Sequence, residues 1–260
     1  MKKLFFVLFL AATILACEQE KPLSPSATVN LKLNALYKGA PFVIGNAYDY
    51  PGGKKIKFDE FNFFIANVTL LEADTDDELD LLEVGLADFS QNIDPADVRP
   101  VTYSVRSVPA VKYKGLRISF GVPSRFNRAA ILNFGAGHPV RQAYDTHFWK
   151  DSFFFMKLKG TYDLNGDGEF GNLPEDHPFE HFPMRNANFT TMTLLRNFTI
   201  QDGKPFDLNL LVDVMQLYID LSNGKPLDLE DREHLSTYNP ENRDLSAFFM
   251  GNFKQAVTVQ

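Results

Sequence analysis

The stretch Gly115 to Val122, "GLRISFGV", carries an apolar side chain at every second position. An extended backbone turns successive side chains to opposite faces. Leu116, Ile118, Phe120 and Val122 therefore share one face, against Arg117 and Ser119 on the other, as in a strand buried on one side. The same period runs through Val29, Leu31 and Leu33, through Phe61, Phe63 and Ile65 in "FNFFIANVTL", through Val101, Tyr103 and Val105, and through Leu208, Leu210, Val212 and Val214 in "FDLNLLVDV". Turn formers at Pro51-Gly52-Gly53, Asn92 to Pro95 and Asn223-Gly224 punctuate these runs.

The pattern predicts a mainly β chain folded as a single antiparallel β-sandwich, Ig-like or jelly-roll-like, with a few short helices in loops and near the C-terminus. Helical segments are expected at Ala129 to Phe134, in "DVMQLYIDL" from Asp213, and in "DLEDREHL" from Asp228, with His234 near its end. The acidic run "DTDDELD", Asp74 to Asp80, reads as a solvated hairpin loop. Neither an internal repeat nor a second composition regime interrupts the chain, so residues 27–260 are expected to form one domain, with 25 Phe to fill its core.

The N-terminus reads as an export signal. Met1-Lys2-Lys3 precedes an apolar run from Leu4 to Ala16, about 13 residues where a bilayer span needs about 20. "ILAC", Ile14 to Cys17, resembles a bacterial lipobox. Residues 1–16 are thus expected to be a lipoprotein signal peptide, Cys17 the lipidated residue, and residues 17–26 a flexible tether. This implies a lipid-anchored protein of the bacterial cell envelope, expected at the outer membrane, facing the periplasm or the surface. Cys17 is the single cysteine, which excludes an intrachain disulfide, a thiolate metal site and a cysteine nucleophile. With 33 acidic against 26 basic residues the net charge is −7, and loss of Lys2 and Lys3 would make it more negative. Nucleic acid is an unsuitable partner for such a surface, and cations are the charge-matched ligands.

"DLNGDGEF", Asp163 to Phe170, alternates Asp163, Asn165 and Asp167 and puts Gly168 at the sixth place, the first half of an EF-hand-type calcium loop. A structural calcium ion would take these side chains, the Glu169 carbonyl and, from a bulged loop, Glu175 or Asp176. The twelfth place, where a bidentate Glu belongs, is Pro174. The other reading of the loop is an Asn-Gly/Asp-Gly turn.

Four of the five histidines, His138, His147, His177 and His181, flank Trp149, the only tryptophan. Without thiols, imidazole and carboxylate are the donors left for copper or zinc. "HPFEH", His177 to His181, matches a zinc peptidase string, but that chemistry needs a helix, and Pro178 and Pro183 bracket a stretch without helical period. No nucleophile elbow or phosphate-binding glycine loop is present, so a non-enzymatic protein is expected.

Several stretches in order resemble the MbnP-like family of exported copper-binding β-sandwich proteins. They are "FFIANVTL" (63–70), "YKGLRISFGVPSRFN" (113–127), "GAGHP" (135–139), "HFWKDSFFFMKLKG" (147–160), "DLNLLVDVMQLY" (207–218) and "GNFKQAVTV" (251–259), the last expected as a terminal strand. The resemblance implies copper binding or handling, with His138 at the family's "HP" turn and His181 as a later ligand, His147 or Trp149 adjacent. It also implies a partner haem peroxidase that oxidises a tryptophan in some members. Asp151 stands where the family has its second Trp, and Trp149 itself reads first as a packing residue. A different class remains open, a protein- or glycan-binding assembly lipoprotein without a transition metal, which exposed phenylalanines in "DSFFFM" (151–156) or "SAFFMGNF" (246–253) would favour.

Overall fold

The computed structural model describes residues 24–127, 131–171, 174–237 and 243–260; Cys17 and the leader lie outside them. The alternating runs are strands. In chain order these are β1 (Ser26–Tyr37), β2 (Ala40–Pro41), β3 (Ala47–Tyr50), β4 (Lys54–Glu72), β5 (Glu78–Asp88), β6 (Val101–Pro109), β7 (Lys112–Phe120), β8 (Phe148–Trp149), β9 (Ser152–Phe153), β10 (Met156–Asp163), β11 (Asp176–His181), β12 (Thr190–Thr199), β13 (Phe206–Asp213) and β14 (Val257–Val259). Among the described residues four α-helical segments accompany them: α1 (Ser124–Asn127), α2 (Pro139–Gln142), α3 (Tyr144–His147) and α4 (Arg243–Ala256).

Two sheets carry the fold, in the layered arrangement expected of a sandwich. One runs β14-β13-β1-β2 with β6 also on β1, and the other runs β11-β10-β4-β7-β12 with β3 and β5 also on β4. Among the described strands all pairings are antiparallel except β1 with β13, which run parallel with Leu31 opposite Leu208. A parallel pair needs a long connection, and nearly the whole domain lies between these two strands. The acidic run forms the β4–β5 turn, where Lys114 and Arg117 on β7 pair with Asp76 and Glu78. Two bases thus relieve the repulsion that run would otherwise carry.

β4 is buried on both faces from Phe61 to Ala66. On one face Phe61 stacks on Phe89 at 5.5 Å and Phe63 meets Phe253 of α4 at 5.2 Å. On the other, Phe64 meets His147 and Phe153, carried by the excursion between β7 and β10. Backbone bonds from Phe64 N–H to the Phe155 carbonyl, and from Gly121 N–H to the Phe64 carbonyl, tie that excursion to the sheet.

Helix content differs from expectation in one respect. The 3-10 turns Val214–Tyr218, Arg232–His234 and Ile131–Asn133 fall in the three segments expected to be helical, with Asp213 and Asp231 as caps accepting from Met215 and Glu233 N–H. The expected strand at 251–259, however, is helix up to Ala256, and α4 lays Leu245, Phe249, Met250, Phe253 and Ala256 into the core. Phe253 stacks on Phe120 at 4.2 Å, so the helix seals the sandwich.

Candidate functional site

"HPFEH" is strand β11, whose period of two puts His177, Phe179 and His181 inward and Pro178 and Glu180 outward. The zinc peptidase geometry, which needs both His and the Glu on a helix, is absent; Glu180 pairs with Lys159 on the outer face. His181 is fully buried between the rings of Phe179 and Phe249, at 5.1 and 4.2 Å. Its Nε2 lies 2.8 Å from the His234 carbonyl and its Nδ1 3.2 Å from the Tyr218 hydroxyl. A carbonyl only accepts, so Nε2 carries the proton and Nδ1 takes the Tyr218 O–H. Burial drives the His181 pKa down to about 3 and raises that of Tyr218. This imidazole is neutral, with both nitrogens occupied.

His147 ends α3 and is likewise buried. Nε2 donates to Asn62 Oδ1 at 2.8 Å, and Nδ1 accepts from the Thr146 hydroxyl at 2.8 Å. Asn62 passes the chain on to Glu60, which pairs with Lys157 at 2.8 Å. Burial, reinforced by the Lys157 charge, lowers the His147 pKa to about 4.

His138 is placed differently. It is the N-cap of α2, half-buried, with Nδ1 accepting the Val140 N–H at 3.3 Å and the ring stacked on Phe134 at 4.5 Å. Among the described residues no side chain or backbone group hydrogen-bonds its Nε2. Trp149 is half-buried on the small β8–β9 hairpin, outside the core, with the Lys150 ammonium 4.0 Å above its ring.

The Asp163 loop closes β10 onto β11, with Asp163 and Asp176 as buried register partners. Asp163 accepts from Gly166 and Gly168 N–H at 2.6 and 2.8 Å, and Asp176 from Gly171 N–H at 2.5 Å. Positive φ at these glycines, +79°, +83° and +107°, is what lets the amides turn inward. Asn165 and Asp167 are exposed and accept from the amides two residues on, Asp167 and Glu169 N–H. Among the described residues these side chains are not assembled into a calcium cage, and the Asp163 and Asp176 carboxylates are engaged by the loop's own amides. Nor do His138, His147 and His181 fit one copper centre. Among the described residues no three His, Cys, Asp or Glu side chains are grouped to hold a metal ion.

Sequence reasoning did not foresee the partners that decide these fates: Asn62, Tyr218 and the His234 carbonyl lie far along the chain from the rings they engage. No periodicity or spacing signals such contacts.

The search of curated proteins returns no match. Among solved structures the chain is similar to MbnP from Methylosinus trichosporium, at 12% identity and a TM-score of 0.43 over 74% of this chain and 77% of that one. The model of the MbnP family matches residues 26–237, from the first strand to the residues just beyond His234. By that span, the chain belongs to the MbnP family.

Proposed function

We propose that this protein is an exported, lipid-anchored, non-enzymatic envelope protein with a copper-related function, and that copper meets it at His138. Family membership across residues 26–237 carries the copper assignment. His138 is singled out because, among the described residues, it alone of the three expected ligands presents an imidazole nitrogen without a hydrogen-bond partner. Its Nδ1 is fixed by the Val140 amide, which leaves Nε2 as the donor. His147 and His181 hold the fold. The anchor rests on the lipobox at Cys17, outside the described residues. Among the described residues no helix is long and apolar enough to cross a membrane.

Exposed phenylalanines would favour the assembly reading; of those in the two stretches Phe153, Phe154, Phe155, Phe249 and Phe253 are buried and Phe248 is partly exposed, which favours the copper reading. Copper stoichiometry of wild type and His138→Ala tests the proposal: loss of copper on substitution supports it, and equal binding removes it. Intact mass of protein from its own host tests the anchor, because a lipid on Cys17 adds a diacyl increment to a chain that starts there.

A further inference from the structure

A cavity of about 420 Å³ lies between the turn that follows the Val214–Tyr218 helix, the short helix carrying His234, and the first turns of α4. Its α4 wall lies beyond residues 26–237, the span shared with the family. The turn is rigid: Leu227 N–H bonds to the Tyr218 carbonyl at 2.7 Å and Asp220 N–H to the Lys225 carbonyl at 2.8 Å. Pro226, Leu227, Leu245 and Phe248 supply apolar lining.

The polar lining is rich in acceptors. Asp220, Asp228 and Asp244 face one base, Lys225, and no ion pair among the described residues engages any of the four. Asp220 stays ionised, because hydrogen bonds from the Ser222 hydroxyl and amide and from Asn223 hold its carboxyl below the usual range. His234 adds a further acceptor. Its Nδ1 lies 2.6 Å from the Asp228 carbonyl and therefore carries the proton, and among the described residues nothing hydrogen-bonds its Nε2. A bare metal ion needs converging donors, and these groups do not converge into a metal-holding set. An ammonium group on an apolar body needs only one or two acceptors, an aromatic face and room for the body. The volume lies in the range of small-molecule sites, roughly 300–1,000 Å³.

We infer that this cavity binds a small primary ammonium carrying a short apolar body, the N–H donors meeting the Asp244 and His234 side and the alkyl chain lying on Phe248 and Leu245. Calorimetric titration of the purified protein with n-hexylammonium chloride and with hexan-1-ol tests it. The ammonium is expected to bind at one site at least about tenfold more tightly than the alcohol. Asp244→Asn, an exposed change, is expected to weaken the ammonium about fivefold and Lys225→Glu to tighten it. Equal binding of alcohol and ammonium, no binding of either, or equal affinity of Asp244→Asn and wild type would overturn the assignment.

Discussion

His138 and His181 are the same residue type, and the family resemblance implies the same role for both, yet the fold treats them oppositely. His181 sits between two phenylalanine rings with a hydroxyl on one nitrogen and a carbonyl on the other. His138 caps a short helix at the surface and spends a single nitrogen on it. Ligand chemistry alone therefore does not make a histidine a ligand. What counts is whether the protein has already taken its lone pair.

The largest effect that can break this contrast belongs to His181. His181→Ala would leave the Tyr218 hydroxyl and the His234 carbonyl unpaired beside a hole in the core, and is expected to cost about 3–5 kcal/mol in urea unfolding. A loss below about 1 kcal/mol would show that the site is not packed as described.

Acid provides the next largest. His147 and His181 are neutral in the fold, with pKa values near 4 and 3, while an unfolded imidazole titrates near 6.5. Below about pH 6.5 the unfolded chain binds protons that the fold refuses, so stability falls as pH drops from 6.5 toward 4 and 3. Above about pH 7 these groups contribute no slope. Each is expected to add up to about 1.4 kcal/mol per pH unit within its window. Unfolding midpoints unchanged between pH 7 and 5 would contradict the neutral, buried assignment.

Asp163→Ala should cost about 1–3 kcal/mol, since the Gly166 and Gly168 amides lose their acceptor. Melting of wild type is expected to be the same in EGTA and in calcium, because amides and not a cation close the loop. A rise with calcium would instead restore the cation reading of "DLNGDGEF". The smallest stability effect is that of His138→Ala, about 1 kcal/mol or less for a lost cap.

Much of the sandwich was legible in the sequence because a half-buried strand writes its period into the chain, as in Leu116, Ile118 and Phe120. The parallel pairing of β1 with β13 was not, since alternation shows a face and never a neighbour. α4 was missed for a different reason. The resemblance of residues 251–259 to a terminal strand drew attention to the valines at the end, while the helical spacing of Leu245, Phe249, Phe253 and Ala256 was present but interrupted by Gly251. At the candidate site the histidines could be named from sequence. Their availability could not, because it depends on Tyr218, Asn62 and a carbonyl brought up from distant segments.

The central claim is that copper meets His138 and leaves His147 and His181 untouched. Titration with copper(I), which is diamagnetic, followed through the imidazole nitrogen resonances, addresses it directly. The Nε2 signal of His138 is expected to shift within the first equivalent while the nitrogens of His147 and His181 stay in place. Movement of the His181 nitrogens in that first equivalent, or an unmoved His138, would contradict the account.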